Sequence, residues 1–161
     1  MGASGTGGVR VIGEDHIIRG NHFENLTGDD ARSTICLMMG IPDSPLNRYF
    51  QVQRARIENN LIIDCQHPIL IGLSDDKKAS LAPSETVFDG NRCVCPKSSI
   101  IDARCELDGI SWQNNHITGK QLGLQSVPDG ISFDEKTPDM PVSELRLRPI
   151  NRSDVGVQWY R

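Results

Sequence analysis

A six-residue phrase, apolar-x-x-Asn-x-apolar, recurs four times along the chain. It reads Ile18-Arg-Gly-Asn21-His-Phe23, then Ile57-Glu-Asn-Asn60-Leu-Ile62, Phe88-Asp-Gly-Asn91-Arg-Cys93 and Trp112-Gln-Asn-Asn115-His-Ile117. The Asn-to-Asn steps are 39, 31 and 24 residues. Turn-rich stretches account for the longer steps: one spans 28–47, and a polar one, Ser74-Asp-Asp-Lys-Lys-Ala-Ser-Leu-Ala-Pro83, reads as a surface loop. The bare repeat is then near 24 residues, the period of a solenoid built from short strands and turns. Each phrase suits a bend between two strands, with the Asn tolerating the left-handed conformation and bonding to neighbouring backbone. Stacked coils place Asn21, Asn60, Asn91 and Asn115 in one ladder. They place Ile18, Ile57, Phe88 and Trp112 in one apolar column, and Phe23, Ile62, Cys93 and Ile117 in another. Alternation at Val9-Arg-Val11, Ile69-Leu-Ile71-Gly-Leu73 and Ile131-Ser-Phe133 predicts further strands.

The fold class predicted is all-β, a right-handed parallel β-helix of about five coils with loop insertions. At β spacing that is a stack of roughly 25 Å. An antiparallel sandwich also explains the alternation, but not the recurring Asn phrase. No segment predicts an amphipathic helix; Ser33–Met39 is too apolar all round to decide. The coils are expected over 1–135. Prolines punctuate 136–161, expected to be an irregular tail packed along the solenoid.

Composition narrows the function. The 161 residues carry 17 Lys plus Arg against 21 Asp plus Glu, a formal charge of -4, which argues against a nucleic-acid binder. Residues 1–56 hold six basic and six acidic side chains, so the excess negative charge lies downstream and a polyanion should prefer the first third. No apolar run approaches the roughly 20 residues that span a bilayer, and MGASGTGG has no signal-peptide character. No membrane partner is expected. Cys36, Cys65, Cys93, Cys95 and Cys105 read as buried small hydrophobes. Cys93 and Cys95 are expected to part to opposite faces, which leaves no local metal clip or disulfide. Glu14-Asp15 reads as a solvated turn rather than a cation site, and the four histidines are not spaced as a metal set. Arg10 alternates with Val9 and Val11, so it should point outward.

The phrases GGVRVIGEDHIIRGNHFENLTG (7–28), GIPDSPLNRYFQVQRARIENNLIIDC (40–65) and LAPSETVFDGNRC (81–93) resemble polysaccharide lyase family 6, which contains alginate lyases and chondroitinase B. Arg148-Pro149-Ile150 and Ser153–Gly156 resemble its closing segment. The resemblance implies an anionic-polysaccharide partner, cut at uronate residues by β-elimination. It implies a substrate contact at Arg10, with Arg32 and Arg48-Tyr49 bordering the same groove. A family lysine base, an arginine near the leaving oxygen and a calcium ion held by Asn and Glu side chains belong to coils preceding GGVR. Here GGVR begins at Gly7, so no catalytic residue, metal ligand or cofactor is expected within this chain. The chain reads as the C-terminal half of a lyase, inactive alone, with a secreted or periplasmic setting. The alternative is a non-catalytic solenoid that binds acidic glycans or serves as an assembly module. Either way, an open first coil predicts self-association through Val9, Val11 and Ile18.

Overall fold

The short apolar phrases become strands of three to eight residues, joined by turns that repeat from coil to coil. The structure, a computed structural model, describes Gly5 and residues 7–135. The strands are β1 (Val9–Val11), β2 (Ile17–Arg19), β3 (His22–Glu24), β4 (Ile35–Met38), β5 (Arg56–Glu58), β6 (Leu61–Ile63) and β7 (Ile69–Leu73). They continue as β8 (Thr86–Asp89), β9 (Arg92–Ser99), β10 (Ile101–Ala103), β11 (Ile110–Gln113), β12 (Asn115–Gln121) and β13 (Ile131–Asp134). One short 3-10 turn, Asp30–Arg32, precedes β4.

Through β12, every third strand falls in the same sheet, and β13 joins β12. The first sheet runs β1-β4-β7-β10, the second β2-β5-β8-β11, and the third β3-β6-β9-β12-β13. All pairings between these strands are parallel. Four complete coils are therefore stacked, and a fifth contributes β13 to the third sheet. This is a parallel β-helix; the parallel register removes the sandwich alternative. The expected tail, 136–161, lies outside the described residues.

The register confirms both apolar columns. Ile18 pairs with Ile57, Ile57 with Phe88 and Phe88 with Trp112, the last two rings stacked at 4.7 Å between centroids. Phe23 pairs with Ile62, Ile62 with Cys93, Cys93 with Ile117 and Ile117 with Phe133. In the first sheet Ile35, Leu37, Ile69, Ile71 and Ile101 complete the buried interior. Burial at roughly 25 cal/mol per Å² of apolar surface drives this stacking, since no coil can hide its inner face alone.

The Asn ladder forms, each amide donating to the next: Asn21 Nδ2 to Asn60 Oδ1 at 3.0 Å, Asn60 to Asn91 at 2.9 Å, and Asn91 to Asn115 at 3.0 Å. The left-handed residue, however, stands one position earlier than expected. Gly20, Asn59, Gly90 and Asn114 carry φ of 66, 51, 62 and 51°. That kink turns the following Asn inward, where its backbone stays unstrained and its side chain meets the next coil.

Two further expectations change. Residues 28–47 are not one insertion, because Ile35–Met38 is a strand buried on both faces. Its apolar-all-round composition follows from that double burial. Cys93 and Cys95 do not part: both point into the core, as residues two apart on a strand do, with Sγ atoms 3.7 Å from each other.

Candidate functional site

The first sheet has an unusual outer face. Its middle strands turn Cys36, Met38, Leu70 and Leu73 away from the core, yet all four are buried. Ile12, Ala31 and Tyr49 pack over them. The covering segment is pinned by backbone: Ile41 N–H donates to Tyr49 O at 2.9 Å and Gly13 N–H to Phe50 O at 3.2 Å. Gly40 N–H reaches Leu81 O at 2.8 Å, and Gln51 Nε2 reaches Ala82 O at 2.7 Å. The inserted loops thus form a second, smaller core outside the solenoid.

The four residues singled out from the sequence surround this patch. Arg10 is exposed on β1 and registers against Cys36 of β4, with Ile12 of the patch two residues on. Arg32 follows Ala31 in the 3-10 turn and is exposed, its Nη2 3.3 Å from Asp29 Oδ1. Arg48 is exposed beside Tyr49, whose ring covers the patch and whose hydroxyl donates to Asp75 Oδ2 at 3.2 Å. Among the described residues Arg10 and Arg48 make no ion pair, which leaves both guanidinium groups open to a ligand. Planar guanidinium forks suit carboxylates.

Sequence reasoning passed over Arg104. It follows β10, three strands below Arg10 and two residues past Asp102, which is in register with Arg10, about 16 Å away at β spacing. Its Nη2 is 2.8 Å from Asp30 Oδ1 and 2.8 Å from Asp102 Oδ2, tying the 3-10 turn to the fourth coil. These groups line an open cleft of about 460 Å³ together with Ser33, His67 and Gln121. None of the four predicted residues lines it. The signal was available: Asp102-Ala-Arg104 alternates after Ile101 as Arg10 does between its valines. Burial pushes the Cys36 thiol up to about 12, with Arg10 and Arg104 opposing and Asp75 and Asp30 reinforcing. Charges of both signs therefore ring the patch.

The acidic pair Glu14-Asp15 is already engaged. Arg54, one coil below, donates from Nε to Asp15 Oδ1 at 2.8 Å, from Nη2 to Asp15 Oδ2 at 3.0 Å, and to Glu14. That hydrogen bonding holds the Asp15 carboxyl below its usual range. The donor set is neutralised by a guanidinium and does not fit a calcium ion. His22 pairs with Glu24 at 3.2 Å on the surface. No helix of the described residues is long and apolar enough to cross a membrane.

Comparison with known proteins matches this geometry to one family. The profile described as Chondroitinase B matches residues 2–155. Among curated proteins no sequence matches. Among solved structures, the PL6 family alginate lyase AlyGC superposes with a TM-score of 0.73 at 32% identity, covering 97% of this chain and 23% of the lyase. An arginine-to-alanine mutant of the same enzyme gives 0.73 at 33%, with the same coverage. A mannuronic acid specific family 6 lyase from human gut microbiota gives 0.60 at 17% identity over 88% of this chain and 34% of that one, a likeness of fold alone. The chain thus spans about a quarter of the alginate lyase it matches. With the coil-by-coil register and the GGVR and Asn phrases in place, this chain belongs to the chondroitinase B family, within the polysaccharide lyases of family 6.

Proposed function

We propose that this chain supplies one wall of the groove of a lyase that cleaves a uronate-containing polysaccharide by β-elimination. The observation that carries this reading is the open guanidinium of Arg10 on the outer face of the first sheet, with Arg48 and Tyr49 on the loop folded over the same face. β-Elimination needs the uronate carboxylate neutralised, a base for the C5 proton and an acid for the leaving oxygen. Arg10 and Arg48 serve the first need by holding carboxylates. Arg32 and Tyr49 border the groove and fix its loops. Among the described residues we assign no base, acid or calcium ligand, and we expect the isolated chain to bind the polymer without turning it over.

The unpaired edge of β1, β2 and β3 supports a further part of the same reading, self-association of the isolated chain. Among the described residues no strand covers that edge, and an open cleft of about 340 Å³ lies there; of its apolar lining Ile17 is exposed and Val9 half-buried, whereas Val11 and Ile18, expected at the open end, are buried.

Titration calorimetry with alginate and dermatan oligosaccharides tests the groove, alongside absorbance of the unsaturated product at roughly 235 nm. Binding without product is expected, weakened about tenfold by Arg10→Ala, the worth of one charge-assisted contact. Binding of neither polymer overturns the groove. Robust product release overturns the absence of a base and acid.

A further inference from the structure

Three thiols that the groove does not use meet inside the third sheet. Cys93 and Cys95 lie on β9, their sulfurs 3.7 Å apart. Cys65 lies two residues past β6, where Asp64, at φ 47°, folds the chain back. Its N–H is then 3.3 Å from Cys95 Sγ, while its own thiol donates to Ile63 O at 3.3 Å. All three side chains are buried and free. Cys65 and Cys95 nevertheless line an open cleft of about 390 Å³, with Asn25, Gln66, Lys97 and Ser98 at its rim. A small solute has an approach to this pair.

We propose that Cys65 and Cys95 form an oxidisable pair that closes into a disulfide joining the second and third coils. Geometry selects this pair over its neighbour. The β6–β9 register, continued, sets Asp64 opposite Cys95, and Cys65 stands one position on; coils about 4.8 Å apart and an offset of about 3.3 Å put the two Cα atoms about 6 Å apart, inside the window of about 4.4–6.8 Å that disulfide Cα atoms occupy. Cys93 and Cys95 are two residues apart on an extended strand, about 6.6 Å, at the window's limit with nearly parallel Cβ directions.

The oxidant is a small-molecule disulfide. The thiolate of one cysteine attacks it, forming a mixed disulfide and expelling one reduced thiol. The second cysteine then attacks the protein sulfur of that mixed disulfide and expels the other. Two protein thiols lose two protons and two electrons, and one disulfide is reduced to two thiols. The contact with Cys95 and burial push the Cys65 thiol up. At Cys95 the hydrogen bond with Cys65 pulls down, but the Cys93 contact and burial outweigh it. Both thiols therefore stay protonated at neutral pH, and closure is slow and needs excess oxidant.

The test uses the reduced full chain in native buffer with oxidised glutathione, quenched by alkylation in denaturant and digested with trypsin. Cleavage leaves Cys65 in peptide 57–77, and both Cys93 and Cys95 in 93–97. Peptide 57–77 joined to 93–97 is expected, persisting in Cys93→Ser and lost in Cys95→Ser. Fragmentation of the wild-type cross-link assigns the sulfur if either variant fails to fold. Full alkylation of all three thiols, glutathione adducts without a cross-link, or a bond closed within 93–97 overturns the proposal.

Discussion

Asn91 is 5% exposed and uses every polar atom of its side chain. Its Oδ1 accepts from the N–H and Nδ2 of Asn60, and its Nδ2 donates to Asn115 Oδ1 and to Ile57 O at 2.7 Å. Removing the amide takes a partner from four groups at once in a site closed to water, although Asn60 Nδ2 keeps Ile18 O and Asn115 Oδ1 keeps the Asn91 N–H. Asn91→Ala should cost about 3 kcal/mol, since each unsatisfied buried group costs about 1–3 kcal/mol and relaxation recovers part. Asn91→Asp keeps the acceptor but sets a carboxylate against two carbonyl oxygens. Its loss should be similar at pH 7 and smaller at pH 4.5, because protonation restores a donor; urea midpoints at the two pH values measure both. At this scale the sequence was nearly transparent. Four ladder asparagines stood out by recurrence, and their stacking followed. The left-handed position was misplaced by one residue, although Gly20, Asn59, Gly90 and Asn114 are the two residue types that accept it at least cost.

β4 shows where an element escapes a pattern. A half-buried strand announces itself by alternation, but Ile35–Met38 has the solenoid core on one side and Tyr49 on the other. An apolar run that short is the same whether it becomes a strand or a buried helical turn. What covers it comes from a loop whose turn residues give no hint of where it lands. The outward direction of Arg10 was legible for a different reason, the valines beside it, while Arg104 was missed because its carboxylate partners, Asp30 and Asp102, meet only after coiling. The covering loop makes a prediction of its own. Tyr49→Ala removes its largest contact with the patch and should raise the alkylation rate of Cys36 about tenfold by local opening, while Tyr49→Phe, lacking only an exposed hydroxyl bond, should leave it nearly unchanged. Peptide-level thiol labelling reads the effect at Cys36 itself.

The described coils form a stack with a strand edge open at each end, at β1, β2 and β3 and at β10, β11 and β13. Parallel sheets close each coil around its own interior, but β1, β2 and β3 show one unpaired edge apiece among the described residues. Ile17, 61% exposed, lies on that end. Sedimentation velocity at rising concentration should show weak, concentration-dependent association. A charge placed at this edge, Ile17→Lys, should reduce it without changing the urea midpoint by more than about 0.5 kcal/mol, as expected of a surface site. A single sharp monomer boundary at every concentration would count against this. Length and repeat predicted about five coils, and the structure carries four and part of a fifth.

The amide ladder gives that stack a direction. Each Nδ2 gives its proton toward the later coil, so the column is a row of aligned dipoles that ends, at Asn21, on a carbonyl oxygen facing outward with no donor among the described residues. Two copies meeting through this end about a two-fold axis would set oxygen against oxygen and repel at the column. The partner that completes the row must arrive with its own amide pointing in the same sense. Two-fold contact between identical copies through this end is then confined to offset arrangements, away from the column, and such contacts stay small and weak.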